Sequence, residues 1–246
     1  MSNTPRLFIN QELKINDELC LKETQFHYLV NVLRLGNEDV FLAFDNKNGE
    51  FECKIRQVGK KHLEANVERK TKEFAQSPDI WLLFAPIKKD KTDFIIEKST
   101  ELGVRKIIPT ITKRAIRDKI KKERFEAQAA EAAEQCRRVD LPEIVEATPL
   151  EQVLKDWDKN RLLYFMDESG NGDPIKDVFE KNAHPPCAAA ILVGPEGGFE
   201  ESELATLRKL DFARGVSLGN RILRAETAVA AALACWQAIC GDWKGK

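Results

Sequence analysis

Val193-Gly194-Pro195-Glu196-Gly197-Gly198-Phe199 closes an apolar run that starts at Ala188. Further along, Leu218-Gly219-Asn220-Arg221-Ile222-Leu223-Arg224-Ala225-Glu226-Thr227 repeats the arrangement. Each segment leaves a short apolar strand, passes through glycine and enters a helix-compatible stretch. Glycine has no side chain, so backbone N–H groups at such a junction stand open to close approach by a ligand. Two junctions of this kind after two buried strands predict two walls of one pocket. They also decide the fold class, because near-continuous apolar strands alternating with helices build a parallel sheet covered on both faces.

The same alternation extends outward from these loops. Residues 80–85 form a continuous apolar run, followed by a helix that Asp90 can cap and Gly103 can end. Residues 104–112 are the next strand, and a charged, alanine-rich helix covers about 119–138. Thr148-Pro149-Leu150-Glu151 reads as a capping box with proline at the first helical position, opening a helix to Trp157. Strands follow at 162–166, 188–193 and 214–218. The last helix, 226–240, is apolar all round over 228–234, so it is buried on several sides or serves a subunit interface.

Before residue 71 the pattern is different. Residues 6–9, 39–44, 51–58 and 62–69 are short runs of strand type, and Asn46-Lys47-Asn48-Gly49 is hairpin-turn chemistry. One helix, 23–34, interrupts them, with Phe26, Leu29, Val30 and Leu33 on a stripe that should be buried. His27, Asn31 and Arg34 share another stripe, suited to RNA phosphates or simply to solvent. The polar stretch 71–78 marks a boundary, giving domains 1–72 and 73–246.

Composition narrows the function classes. The chain has 246 residues, 43 % apolar and 32 % charged, with a net charge of −1. No apolar run approaches the roughly 20 residues that span a bilayer. The first ten residues lack the apolar core of an export signal, so a cytoplasmic location is expected. Six scattered cysteines contain no C-x-x-C pair, and the three histidines stand far apart, so neither a disulfide framework nor a metal site is expected. Residues 86–124 carry thirteen Lys or Arg against six Asp or Glu. Such a basic stretch on a near-neutral chain suits a polyanion, although a solvated helix face has the same composition.

The glycine loops exclude several chemistries. Gly194 is followed by no Lys-Ser or Lys-Thr pair, which a P-loop requires. The spacing of Gly194, Gly197 and Gly198 departs from the dinucleotide fingerprint and lies late in the chain. No Gly-x-Ser-x-Gly elbow is present. A pocket rich in main-chain donors and acceptors suits a neutral, adenine-bearing cofactor.

The two loop segments closely resemble those of the RsmE family of ribosomal RNA methyltransferases, which belong to the SPOUT class. The resemblance extends along the chain. Phe26-His27-Tyr28-Leu29-Val30-Asn31-Val32-Leu33-Arg34 is similar to the family's N-terminal segment. Lys98-Ser99-Thr100-Glu101-Leu102-Gly103-Val104 and Glu131-Ala132-Ala133-Glu134-Gln135-Cys136-Arg137, with Pro142 after it, resemble two further motifs. The resemblance implies an α/β domain whose parallel sheet carries a C-terminal trefoil knot, preceded by a small PUA-like β-barrel domain that binds RNA. It implies methylation of N3 of one uridine in the small-subunit 16S rRNA, U1498 by convention, with S-adenosyl-L-methionine as donor, and action as a homodimer.

Carried onto this chain, the resemblance places Leu192, Gly194, Glu196 and Gly197 on one wall of the cofactor site. Leu218, Gly219, Ile222, Leu223, Arg224 and Thr227 form the other. Arg224 and Glu226 are the candidate catalytic residues, Arg224 steadying the developing uracil anion or orienting the cofactor. Glu196 has a second reading, as a cap of the following helix. The candidate RNA contacts are Arg6, His27, Arg34, Lys88, Lys89, Lys113, Arg114, Arg117, Arg137 and Arg138. Two other functions fit the same residues: a SPOUT enzyme acting on a ribose 2′-OH or a tRNA base, and a non-catalytic ribosome-assembly factor that binds RNA.

Overall fold

The computed structural model describes residues 4–116, 121–183 and 188–243. The chain forms two units, Met1–Gln76 with Ala130–Leu141, and Ser77–Ala129 with Pro142–Lys246. In the first unit, alternation of buried and exposed side chains builds a sheet from β1 (Arg6–Phe8), β2 (Glu18–Lys22), β3 (Val40–Asp45), β4 (Gly49–Val58) and β5 (His62–Lys72). Its order is β1-β3-β4-β5-β2, with β1 parallel to β3 and the remaining pairs antiparallel. Leu19, Leu21, Phe41, Phe51, Ile55, Leu63 and Val67 fill its core. β2 is an addition to the sequence reading; its alternation lasts only five residues.

The β3–β4 turn forms where Asn46 to Gly49 predicted it. Asp45 accepts N–H bonds from Lys47, Asn48 and Leu13, and Gly49 takes a φ of +100° that a side chain would resist. Burial pushes the Asp45 carboxyl up, but these bonds outweigh it and hold its pKa below the ordinary aspartate value.

The helix expected over 23–34 is corrected. α1 (Glu23–Phe26) runs into a π-helical turn, His27–Val32. The turn is closed by i→i+5 bonding, with Leu33 N–H donating to the Tyr28 carbonyl at 3.0 Å. This wider winding breaks the 3.6-residue stripe. Leu29 is fully buried, Phe26 and Val30 are half-buried, and Leu33 is exposed.

In the second unit, β6 (Ile80–Phe84), β7 (Lys106–Ile111), β8 (Glu143–Ile144), β10 (Leu162–Met166), β11 (Asp173–Pro174), β12 (Ala189–Val193) and β13 (Ala213–Ser217) line up as β11-β13-β10-β12-β6-β7-β8. Every pair is parallel, and β9 (Thr148–Pro149) pairs the end of β7. The apolar runs are continuous because both faces are covered. Ile191 and Val193 join a layer with α2 (Lys89–Glu101), α5 (Ile175–Lys181), α7 (Ala225–Ile239) and the start of α3 (Lys122–Cys136). Ala190 and Leu192 join the opposite layer with α4 (Leu150–Lys155) and α6 (Glu201–Leu207).

Two helix starts differ from the sequence reading. The capping box expected at Thr148 does not form: Thr148 pairs with Thr110, its hydroxyl donates to the Glu146 carbonyl, and Pro149 becomes the N-cap of α4. In α2 the N-cap is Lys88, with Asp90 in the first turn, and Gly103 follows the helix with φ +75°. α7 packs against α2, α5 and β12, burying Ala228, Val229, Ala232, Leu233 and Trp236, while Ala230, Ala231 and Ala234 are half-buried. Among the described residues no helix is long and apolar enough to cross a membrane, and no group of His, Cys, Asp and Glu is arranged to hold a metal.

Candidate active site

In open parallel sheets, ligands bind beyond the carboxyl ends of the strands, where the chain turns to either side. β10 occupies that place here, with β12 on one flank and β13 on the other. The loops leaving all three strands enclose a cavity of about 440 Å³, within the range of about 300–1,000 Å³ typical of small-molecule sites. Its lining comes from Met166–Gly170, Val193–Glu196 with Gly198, and Val216–Ala225 with Ala228.

The two glycine loops therefore face one cavity, and Gly194, Glu196, Leu218, Gly219, Ile222, Leu223 and Arg224 all line it. Three residues of the sequence set do not. Leu192 lies on the opposite face of β12 from Val193, because neighbouring strand residues point to opposite sides, and it packs into the α4–α6 layer. Gly197 turns outward beside Arg114, whose Nη1 donates to its carbonyl at 2.8 Å. Thr227 is exposed on α7, whereas Ala225 and Ala228 face the cavity.

The loop after β10 is a third wall that the sequence reading missed. Asp167 is almost wholly buried and accepts bonds from Ser169 N–H (3.0 Å), Ser169 Oγ (2.6 Å) and Arg208 Nη2 (2.9 Å). Burial raises this carboxyl, but the donors outweigh it and hold its pKa low. Glu168 Oε1 accepts Phe199 N–H at 2.9 Å and so ties the third wall to the first. Gly198 sits at φ +68° against that carboxylate, and a Cβ there would collide with it. Gly219, at φ +95°, faces open space. A signal for this wall was present: the apolar run ending at Met166 passes at once into Asp167-Glu168-Ser169-Gly170-Asn171-Gly172.

Arg224 is the N-cap of α7 and is exposed, and its guanidinium has no partner among the described residues. Glu226 follows in the first turn, 3.6 Å from Lys91 Nζ, with its Oε2 buried. The cap of α6 is Glu200, paired in a capping box with Glu203, so the capping reading of Glu196 is corrected; Glu196 instead lies 3.4 Å from Lys91 Nζ.

The basic candidates divide by environment. Arg6 is buried, paired with Glu50 at 2.6 Å and donating to the carbonyls of Ala133, Glu134 and Arg138, so its charge is spent inside the first unit and it is withdrawn as an RNA contact. Arg138 is nearly buried and bidentate to Asp140, and it is withdrawn on the same ground. His27, Arg34 and Arg137 are exposed in the first unit, and Lys88, Lys89, Lys113 and Arg114 in the second. Arg117 lies outside the described residues.

Comparison with known proteins matches residues 75–237 to an RNA methyltransferase domain and residues 21–68 to an RNA methyltransferase PUA domain. Ribosomal RNA small subunit methyltransferase E of Rickettsia conorii is 34 % identical over 230 residues, covering 93 % of each chain. The Bacillus subtilis protein of that name is 32 % identical over 89 % of each chain. The crystal structure of ribosomal RNA small subunit methyltransferase E from Neisseria gonorrhoeae bound to S-adenosyl methionine superposes with a TM-score of 0.88 at 27 % identity, over 98 % of this chain and 100 % of that one. Over both units, then, the chain belongs to the RNA methyltransferase family of ribosomal RNA small subunit methyltransferase E.

Proposed function

We propose that this chain methylates N3 of a uridine in 16S rRNA, U1498 by convention, using S-adenosyl-L-methionine. The observation that carries the reading is the three-loop cavity at the ends of β10, β12 and β13 in a chain of this family. The residues there fit this cofactor, which bears the expected adenine but is cationic at sulfur and not neutral. Met166, Val193, Val216 and Leu218 offer an apolar bed for adenine, loop amides and carbonyls can read its edge, and the carboxylates of Glu168 and Glu196 suit its cationic end. Bound there, the cofactor supplies a methyl group on a positively charged sulfur, and the protein's task is to place a nucleophile in line with it.

Arg224 is positioned to hold the uracil as N3 loses its proton, since a guanidinium without a protein partner can meet the developing anion. The base must first leave its stack, at a cost of a few kcal/mol. Exposed His27, Arg34, Lys88, Lys89, Lys113, Arg114 and Arg137 would contact phosphates, giving affinity and register. In this reading residues 1–72 serve RNA binding, residues 73–246 carry the chemistry, and the enzyme works in the cytoplasm as a homodimer. Ile222, left 92 % exposed at the cavity's rim, is a residue that a second copy would cover in this reading.

Incubation with unmethylated small subunits and labelled cofactor, followed by mass mapping of nucleosides, tests the proposal. Label on uracil N3 at the U1498 position is the expected result. Label on a ribose oxygen would place the chain with a different chemistry, and RNA binding without methylation would favour an assembly role.

A further inference from the structure

The geometry points to Lys91 as a positioning residue of the methyl-transfer site, and this inference rests on the function proposed above. Lys91 lies in the first turn of α2, on neither cofactor loop. Its Nζ is 3.4 Å from Glu196 Oε1 and 3.6 Å from Glu226 Oε1. Glu196 belongs to the loop after β12 and lines the cavity; Glu226 begins α7, next to the lining residue Ala225. One ammonium thus faces a carboxylate on the loop after β12 and another in the first turn of α7, the helix that follows the second glycine loop.

Those two carboxylates converge on a single cation and repel one another without it. Glu168 and Glu203 tie the end of the loop after β12, yet both loops are costly to order. They contain Gly194, Gly197, Gly198 and Gly219, whose backbones lose more freedom on ordering than any other residue. Lys91 joins them from a thirteen-residue helix whose Ile95 and Ile96 are anchored in the sheet's core. It therefore sets the separation of two walls between which the cofactor must fit. Its role is preorganisation: the cavity is held near its bound shape before the ligand arrives. Lys91 touches no reacting atom.

The test compares Lys91→Met, which keeps the stem and removes the charge, with Lys91→Arg, which keeps the charge. Three quantities are read: calorimetric affinity for S-adenosylmethionine, hydrogen exchange of residues 194–200 and 218–224 in the ligand-free protein, and the KM–kcat split for methylation of small subunits. Partly exposed pairs are individually modest, so Lys91→Met should weaken cofactor binding and raise its KM by about fivefold, with kcat changed by less than about twofold. Exchange in both loops should quicken, and Lys91→Arg should restore most of each effect.

Glu196→Gln, at a half-exposed position, probes the same link from the other side. Because Glu196 also lines the cofactor cavity, the comparison is read in loop exchange alone. Lys91→Met already breaks the Lys91–Glu196 contact, so adding Glu196→Gln should quicken exchange of residues 194–200 no further. Unchanged cofactor affinity and loop exchange in Lys91→Met would overturn the inference. So would a variant that only melts earlier or fails to fold, or a double variant whose exchange over residues 194–200 is quicker than that of Lys91→Met. The wild-type protein separates the two claims: if it binds cofactor but methylates no rRNA, the proposed function fails while the affinity and exchange readouts still judge Lys91.

Discussion

Arg224 and Arg6 are the same residue type with opposite fates, and the difference lies in partners distant along the chain. Arg6 meets Glu50, 44 residues away, and carbonyls of the 133–138 segment more than a hundred residues on, which turns a candidate phosphate contact into an internal tie. Spacing could not show this, because such partners meet only in the finished fold. Arg224 was legible, since its place after Gly219 puts it at the mouth of a helix, and its guanidinium remains without a partner among the described residues. Arg224→Ala should lower kcat about 100-fold, the scale of losing one donor to a developing anion, with calorimetric cofactor affinity nearly intact. Near-normal turnover would remove it from the chemistry. Glu134 gives a prediction of another kind. Burial, reinforced by Glu131, raises its carboxyl from the ordinary 4.5 to about 7, against the lowering effects of the Phe8 N–H bond and Arg6. A carboxyl with a raised native pKa holds its proton more tightly when folded. Its contribution to stability is complete below about 4.5 and is lost as pH rises through about 7. Glu134→Gln keeps an acceptor for Phe8 N–H. Its melting temperature should therefore gain on the wild type from pH 4.5 to about 7 and level off above that, and a constant offset between the two curves would contradict this.

At the scale of elements, local chemistry was read most reliably where one period held throughout. The strands at 162–166 and 188–193 lie within a residue of β10 and β12, because each is a continuous apolar run that stops at Asp167 or Gly194, and 214–218 lies within a residue of β13. The first-unit helix misled for the opposite reason: a π turn has no signature in a pattern tuned to 3.6 residues, and Leu33 is exposed as a result. α6 shows how a cap can be assigned to the wrong acid. Of the glutamates near its start, Glu200 takes the N-cap position and Glu203 the reciprocal one, three residues on. Glu203 accepts Glu200 N–H through Oε2 and Lys113 N–H through Oε1, both at 2.9 Å, so it fixes the end of the glycine loop as well as the helix. Glutamine has only one acceptor oxygen for these two donors. Glu203→Gln should therefore destabilise the protein by about 1–2 kcal/mol, read as a lower urea midpoint with an unchanged slope. A midpoint equal to wild type would mean that the two bonds contribute nothing net.

For the molecule as a whole, an alternating pattern implied a parallel sheet, but the order β11-β13-β10-β12-β6-β7-β8 depends on pairings between distant strands, which local patterns do not encode. The knot implied by the resemblance belongs to this scale too, since threading is a property of the entire path. Charge, by contrast, was visible along the sequence as a local excess on a chain of net charge −1. The structure divides that excess into spent and available cations. In the second unit Lys113 and Arg114 are exposed beside the loop after β12, held by Ser202 and the Gly197 carbonyl, with Glu200 at 3.7–3.8 Å. If they neutralise RNA phosphates, each contact releases a counterion, and the dependence of log affinity on log salt steepens by about 0.7 to 0.9 per contact. Reversing both to glutamate should weaken RNA binding and make the slope shallower by about 1.5. The slope is the decisive quantity. Reversal could also disturb the Gly197 loop and lower affinity at any single salt concentration, but a structural disturbance removes no counterions. Equal slopes for the variant and the wild type would leave Lys113 and Arg114 as a solvated face and move the phosphate contacts to other exposed cations.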